Sequence, residues 1–195
     1  YQPLEPGQAI DGEIRDARVR DDLRRLKTFQ GGSDPILLRV YAQPTASFPV
    51  RMPKSFYDGM RELGFWIVRD IYFQEKNQAG DAIAKGKAGV DAVMNEVAAV
   101  GALDRIFAWE IGNEFRAENP TARAALESFI CAMAGHIRLR MALPGREPFS
   151  KWVTWASWMR NDPLRTIGNP VLPSCLDYVS YNAYSYDPER LRDHQ

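Results

Sequence analysis

Five short runs of β-branched and aromatic residues punctuate the chain: Ile36 to Tyr41 (ILLRVY), Phe65 to Tyr72 (FWIVRDIY), Ile106 to Ile111 (IFAWEI), Lys151 to Ala156 (KWVTWA) and Asp177 to Tyr181 (DYVSY). Each predicts a strand. Between them the apolar residues fall at helical spacing: Val19, Leu23 and Leu26; Phe56, Met60 and Leu63; Val90, Met94 and Val97; Leu126, Ile130, Met133 and Ile137. The first helix is expected at about residues 14 to 29. Pro53 suits a helix first turn, Gly64 after Leu63 suits a helix end, and Thr121 after Pro120 offers another start. Strand onsets lie 29, 41, 45 and 26 residues apart, the length of a unit that returns the chain to a parallel neighbour. A parallel α/β sheet follows.

Two phosphate-binding α/β folds fit poorly. The first βα turn offers Pro6-Gly7-Gln8 rather than G-x-G-x-x-G. The nearest approach to a P-loop, Gly80 to Ala88 (GDAIAKGKA), has five residues between its glycines instead of four and an alanine where Ser or Thr would bind magnesium. A (β/α)8 barrel is the better frame. Six βα positions in 195 residues give about 33 each, so eight need roughly 260. The expectation is a single partial TIM-barrel domain over 1–195, from the end of strand one to about helix six, with two units missing.

Charge narrows the partners. Twenty-five acidic residues balance twenty-five basic ones, which leaves no net field for a phosphate backbone, so nucleic acid is not expected. No apolar run approaches the ~20 residues of a membrane span. Cys131 and Cys175 are expected as two packed thiols rather than a disulfide, and oligomeric state has no visible footprint.

The stretch that carries chemistry is Phe107 to Phe115 (FAWEIGNEF), an apolar strand running into Gly-Asn-Glu. At the C-terminal end of a barrel strand, Asn113 and Glu114 would stand on the active face. Apolar neighbours can hold such a carboxylic acid protonated until it gives its proton to a glycosidic oxygen. Glu110, inside the strand, is expected to pair with an arginine and is left out of the site.

Trp109 to Glu114 (WEIGNE) resembles the strand end of clan A glycoside hydrolases, where the Glu after Asn is the acid/base. The opening Tyr1-Gln2-Pro3, a charged helix and LLRVYA at Leu37 to Ala42 resemble the β-glucan-active families 72 and 17, with families 2 and 5 also similar. The resemblance implies a retaining hydrolase or transglycosylase on β-linked oligo- or polysaccharides, with Glu114 as general acid/base and neither cofactor nor metal. It implies Arg39 as the arginine that reaches the nucleophile and Tyr184 as the tyrosine that hydrogen-bonds it. The nucleophile itself, a Glu ending strand seven, is absent from the chain, so these 195 residues alone are expected to be inactive.

Asp70 either binds a sugar hydroxyl or pairs with Arg69 or Arg39. Tyr41 and Trp155 stand among aromatics near strand ends, where stacking on sugar rings and ordinary packing are both open. A polysaccharide substrate would favour an extracellular or periplasmic setting. The competing class is a non-catalytic carbohydrate-binding or scaffold protein on a degenerate barrel.

Overall fold

The structure, a computed structural model, describes residues 12–29, 31, 35–40, 52, 54–71, 81–113, 119–142, 152–158 and 173–182. Helix α1 (Gly12–Phe29) precedes strand β1 (Ile36–Val40), helix α2 (Lys54–Glu62) and strand β2 (Phe65–Asp70). Helix α3 (Ala82–Ala99), a 3-10 turn (Leu103–Arg105), strand β3 (Ile106–Asn113), helix α4 (Pro120–Met141) and strands β4 (Val153–Trp158) and β5 (Tyr178–Asn182) follow. Every predicted strand lies where the sequence placed it, with ends shifted by one or two residues.

All five strands are parallel and neighbour one another in sequence order, β1-β2-β3-β4-β5. A doubly wound sheet would reverse direction at a switch point; among the described strands there is no reversal. One face of the sheet carries Phe65, Ile67, Ile71, Trp109, Ile111, Val153 and Trp155, in one apolar cluster with residues from all four helices. The opposite face carries Arg39, Val68, Asp70, Ala108, Glu110 and Thr154, as the pairing of Arg39 with Val68, Val68 with Ala108 and Asp70 with Glu110 with Thr154 requires. Leu37, Trp66 and Trp152 lie on that second face toward the strand starts and are the exposed apolar residues there.

Helix ends and contacts follow the sequence logic. The side chain of Asn119 caps α4 by accepting from the Ala122 N–H at 2.9 Å, with Pro120 in the first turn; the cap is therefore Asn119, ahead of the expected Thr121 start. Gly64 closes α2 with a φ of 73°. Gly86, inside the P-loop-like stretch, is a packing residue of α3: a Cβ there would stand 2.7 Å from Met133 Sδ and 2.8 Å from Phe129 Cε2 of α4. Leu26, expected on the buried stripe of α1, is exposed, whereas Val19 and Leu23 of the same stripe are buried.

The cysteines correct the sequence reading. Cys131 of α4 and Cys175 of the turn before β5 form a disulfide with their Cα atoms 5.3 Å apart. Two thiols far apart in sequence gave no sign of meeting; the βα geometry brings α4 over that turn. Arg138, two turns further along α4, donates to the Cys175 carbonyl at 2.7 Å and pairs with Asp177 at 2.8 Å. Asp177 in turn accepts from the Val153 N–H at 2.7 Å, so helix, turn and the β4 start are tied together.

Closing a 44-residue separation should stabilise the fold by about 4 kcal/mol through the reduced entropy of the unfolded chain. Urea unfolding with and without a thiol reductant measures this. A midpoint that reduction leaves unmoved would contradict the cross-link, and Cys175→Ser should reproduce the reduced value.

Candidate functional site

The site is built on the second face of the sheet, toward the C-terminal ends of β1, β2 and β3. Arg39 extends from β1 across β2 and holds Glu110 of β3. Its Nε donates to Glu110 Oε1 at 2.8 Å and Oε2 at 2.9 Å, and Nη2 donates to Oε1 at 2.6 Å. The Glu110 side chain is 0% exposed and that of Arg39 is 32% exposed, so the cation reaches the surface while its partner does not. A buried carboxylate is tolerable only with such charge-assisted bonds.

The sequence reading left Glu110 out of the site and gave Arg39 a carboxylate from beyond the chain. Among the described residues, the carboxylate that pairs with Arg39 is Glu110. The signal was present: two opposite charges inside otherwise apolar parallel strands, at positions the topology puts on one face.

Asp70 ends β2 directly beside Glu110 in the register. It is 1% exposed, and no side-chain donor lies within hydrogen-bonding distance of either carboxylate oxygen. The pairings expected for it do not form. Arg69 points to the helix-covered face, where it lies 3.6 Å from Glu96, and reaches only the backbone carbonyl of Asp70. Arg39 is engaged with Glu110. Burial pushes the Asp70 carboxyl well above the usual carboxylate range, and the Glu110 charge pushes it further; Arg39, Arg69 and the Gly112 N–H offset only part of this.

Beyond Glu110 the register slips. Glu110 pairs with Thr154 but Asn113 pairs with Ala156, three residues on β3 against two on β4. Gly112 supplies the extra residue with a φ of 72°, a conformation that costs a side chain-bearing residue strain. Without this bulge, Asn113 would fall on the opposite face from Glu110. With it, Asn113 takes the register row of Thr154 and Ala156, on the charged face.

Glu114, Tyr41 and Tyr184 lie outside the described residues. Asn113 is described as a backbone position ending β3. Trp155 is fully buried in the apolar cluster against the helices, so of its two possible roles its position serves packing. The structure thus brings Arg39, Asp70 and the Asn113 position to one face and one end of the sheet, with Glu110 added. Tyr178, which the sequence reading passed over, stands on the same face; burial, then the Glu110 and Asp177 charges, push its phenol up to about 12, so it stays neutral. His136 pairs with Asp91 across α3 and α4, and no group of side chains suited to a metal occurs among the described residues.

The chain resembles solved structures of β-glucuronidase from Ruminococcus gnavus. The complex with uronic isofagomine aligns with a TM-score of 0.50 at 12% identity, covering 86% of this chain and 27% of that one. The apo enzyme aligns at 0.47 and 15% identity, and the complex with a C6-substituted uronic isofagomine at 0.48 and 14%. This chain spans about a quarter of the length of those proteins. At such identities the likeness concerns the fold, a parallel α/β arrangement shared with a glycosidase. No protein-family profile and no curated protein matches the sequence.

Two substitutions test the geometry. Arg39→Met should destabilise the protein by about 3 kcal/mol, the low end for stranding a buried partner because Arg39 is partly solvated, while Arg39→Met with Glu110→Gln should recover most of the loss. A urea double-mutant cycle with no coupling would disprove the pair. Gly112→Ala should cost about 1–2 kcal/mol from its left-handed backbone; an unchanged unfolding midpoint would mean the bulge is not there.

Proposed function

We propose that the chain is part of a retaining glycoside hydrolase or transglycosylase acting on β-linked glycans, with Glu114 as its general acid/base. The observation that carries the reading is the bulge at Gly112, which turns the Asn113 backbone position onto the charged face at the C-terminal end of β3. Glu114 is the next residue in the sequence, and the C-terminal ends of strands are where parallel α/β folds gather their chemistry.

An incomplete (β/α)8 barrel accommodates the rest. All-parallel sheets are stable when both faces are covered. Helices cover one face here; the other bears Leu37, Trp66 and Trp152 near the strand starts and charged groups near the strand ends. That division is what a barrel interior requires, with apolar layers below and a polar rim above. The sequential strand order and the fold likeness to a glycosidase agree with it.

In the proposed reaction, Glu114 protonates the leaving glycosidic oxygen while a second carboxylate attacks the anomeric carbon. Glu114 then accepts a proton from water or from an incoming sugar hydroxyl. Asn113 holds a hydroxyl beside the reacting carbon, Tyr184 orients the nucleophile, and Tyr41 borders the sugar. Arg39 keeps the face electrically balanced through Glu110. The Cys131–Cys175 disulfide favours an oxidising, extracellular or periplasmic setting.

Glu114→Gln, made in the protein that also carries the second carboxylate, is the direct test. Turnover of unactivated β-glucans should fall ~10²–10⁴-fold, the usual contribution of a general acid. Aryl glycosides with good leaving groups, which need no proton, should retain much of their glycosylation rate. An unaltered rate on both substrates would remove Glu114 from the chemistry and leave the carbohydrate-binding alternative.

A further inference from the structure

Among the described residues, two carboxylates and one cation occupy the inner face between β1 and β3. Asp70 and Glu110 are register partners on adjacent parallel strands, both fully buried, with Arg39 spent on Glu110 through three short contacts. The remaining charged neighbour of Asp70, Arg69, is directed to the opposite face, toward Glu96. From β4 the same row presents Thr154, which carries no charge and donates to the Tyr178 carbonyl, and from β5 the neutral phenol of Tyr178. If both acids were ionised, these described groups would hold one uncompensated negative charge out of contact with water, which burial strongly disfavours.

We infer that Asp70 is a protonated carboxylic acid at neutral pH and donates that proton in a hydrogen bond to the Glu110 carboxylate. Arg39, Glu110 and Asp70 then form one neutral unit across three strands. No side-chain donor faces Asp70, whereas a protonated carboxyl needs an acceptor, and its register partner Glu110 supplies one. The unit grips β3 two residues before the Gly112 bulge, which makes Asp70 a positioning residue for the strand end that carries Asn113. The upward displacement of the Asp70 titration by burial and by Glu110 agrees. Only the catalytic consequence of that positioning rests on the glycosidase reading; the shared proton does not.

The test needs no turnover. Infrared spectra of the intact protein at pH 7 should contain a protonated-carboxyl band that Asp70→Asn abolishes. Glu110→Gln should abolish it as well, because Asp70 then ionises against the freed Arg39, and this second variant decides the matter if the first does not fold. Thermal stability gives an independent reading. A carboxyl raised in the folded state binds more protons folded than unfolded above pH ~4, so its contribution falls as pH rises from there through the folded value. Asp70→Asn lacks that dependence, so its Tm relative to the unsubstituted protein should climb steadily above pH ~4. A missing band at neutral pH, a band that survives both substitutions, or a Tm difference flat with pH would each overturn the inference. Absence of glycosidase activity from the protein that also carries the second carboxylate, with the band present, would instead fault the functional reading.

Discussion

The ion pair between Arg39 and Glu110 determines what the inner face of this sheet can be. It joins β1 to β3 over the top of β2, so two strands that share no backbone ladder are linked by side chains. Putting a carboxylate at zero exposure into an apolar strand is costly, and the bidentate guanidinium is what makes it tolerable. Once that pair is in place, the strand-end half of the face must remain polar, because an apolar filling would strand the charges. The apolar residues of the face accordingly lie toward the strand starts, at Leu37, Trp66 and Trp152.

The bulge follows from the same arrangement. β3 has to place Glu110 on the inner face for Arg39 and then bring Asn113, an odd number of residues later, to that same face. Strict alternation forbids this. One inserted residue with left-handed backbone resolves the conflict, and glycine is the residue that adopts it at little cost. Trp-Glu-Ile-Gly-Asn-Glu is thus a physical sentence: an outward tryptophan for the helix layer, an inward acid for the ion pair, a bulge, and then the polar strand end.

Much of the fold was legible because period and spacing are local properties of the chain. Runs of two-residue period and stripes of 3.6-residue period placed every strand and helix, and the spacings dictated parallel pairing. What escaped was set by contacts distant in sequence. The meeting of Cys131 with Cys175 depends on α4 lying over the turn before β5, and the burial of Trp155 depends on the register that directs it toward the helices. In the site, Arg39 was recognised as a cation needing a carboxylate, but the choice of Glu110 required knowing that β1 and β3 flank β2. For Asp70 the sequence leaves open a sugar hydroxyl or a pairing with Arg69 or Arg39; its burial beside a second carboxylate, invisible in one dimension, argues for the neutral form.

Glu110 and Glu114 differ by four residues and, in the proposed reading, by function. Glu110 is sealed from solvent and held as a carboxylate by Arg39, so it has neither access to a sugar nor a proton to give. An acid/base needs the reverse: contact with the leaving oxygen and freedom to change charge. In that reading the bulge at Gly112 falls between the two in sequence: before it stands the fixed carboxylate that fastens the sheet, and after it the proposed acid/base. A neutral Arg39–Glu110–Asp70 unit beneath the working acid would leave no net charge to disturb its proton affinity, so that affinity would be governed by the groups at the rim.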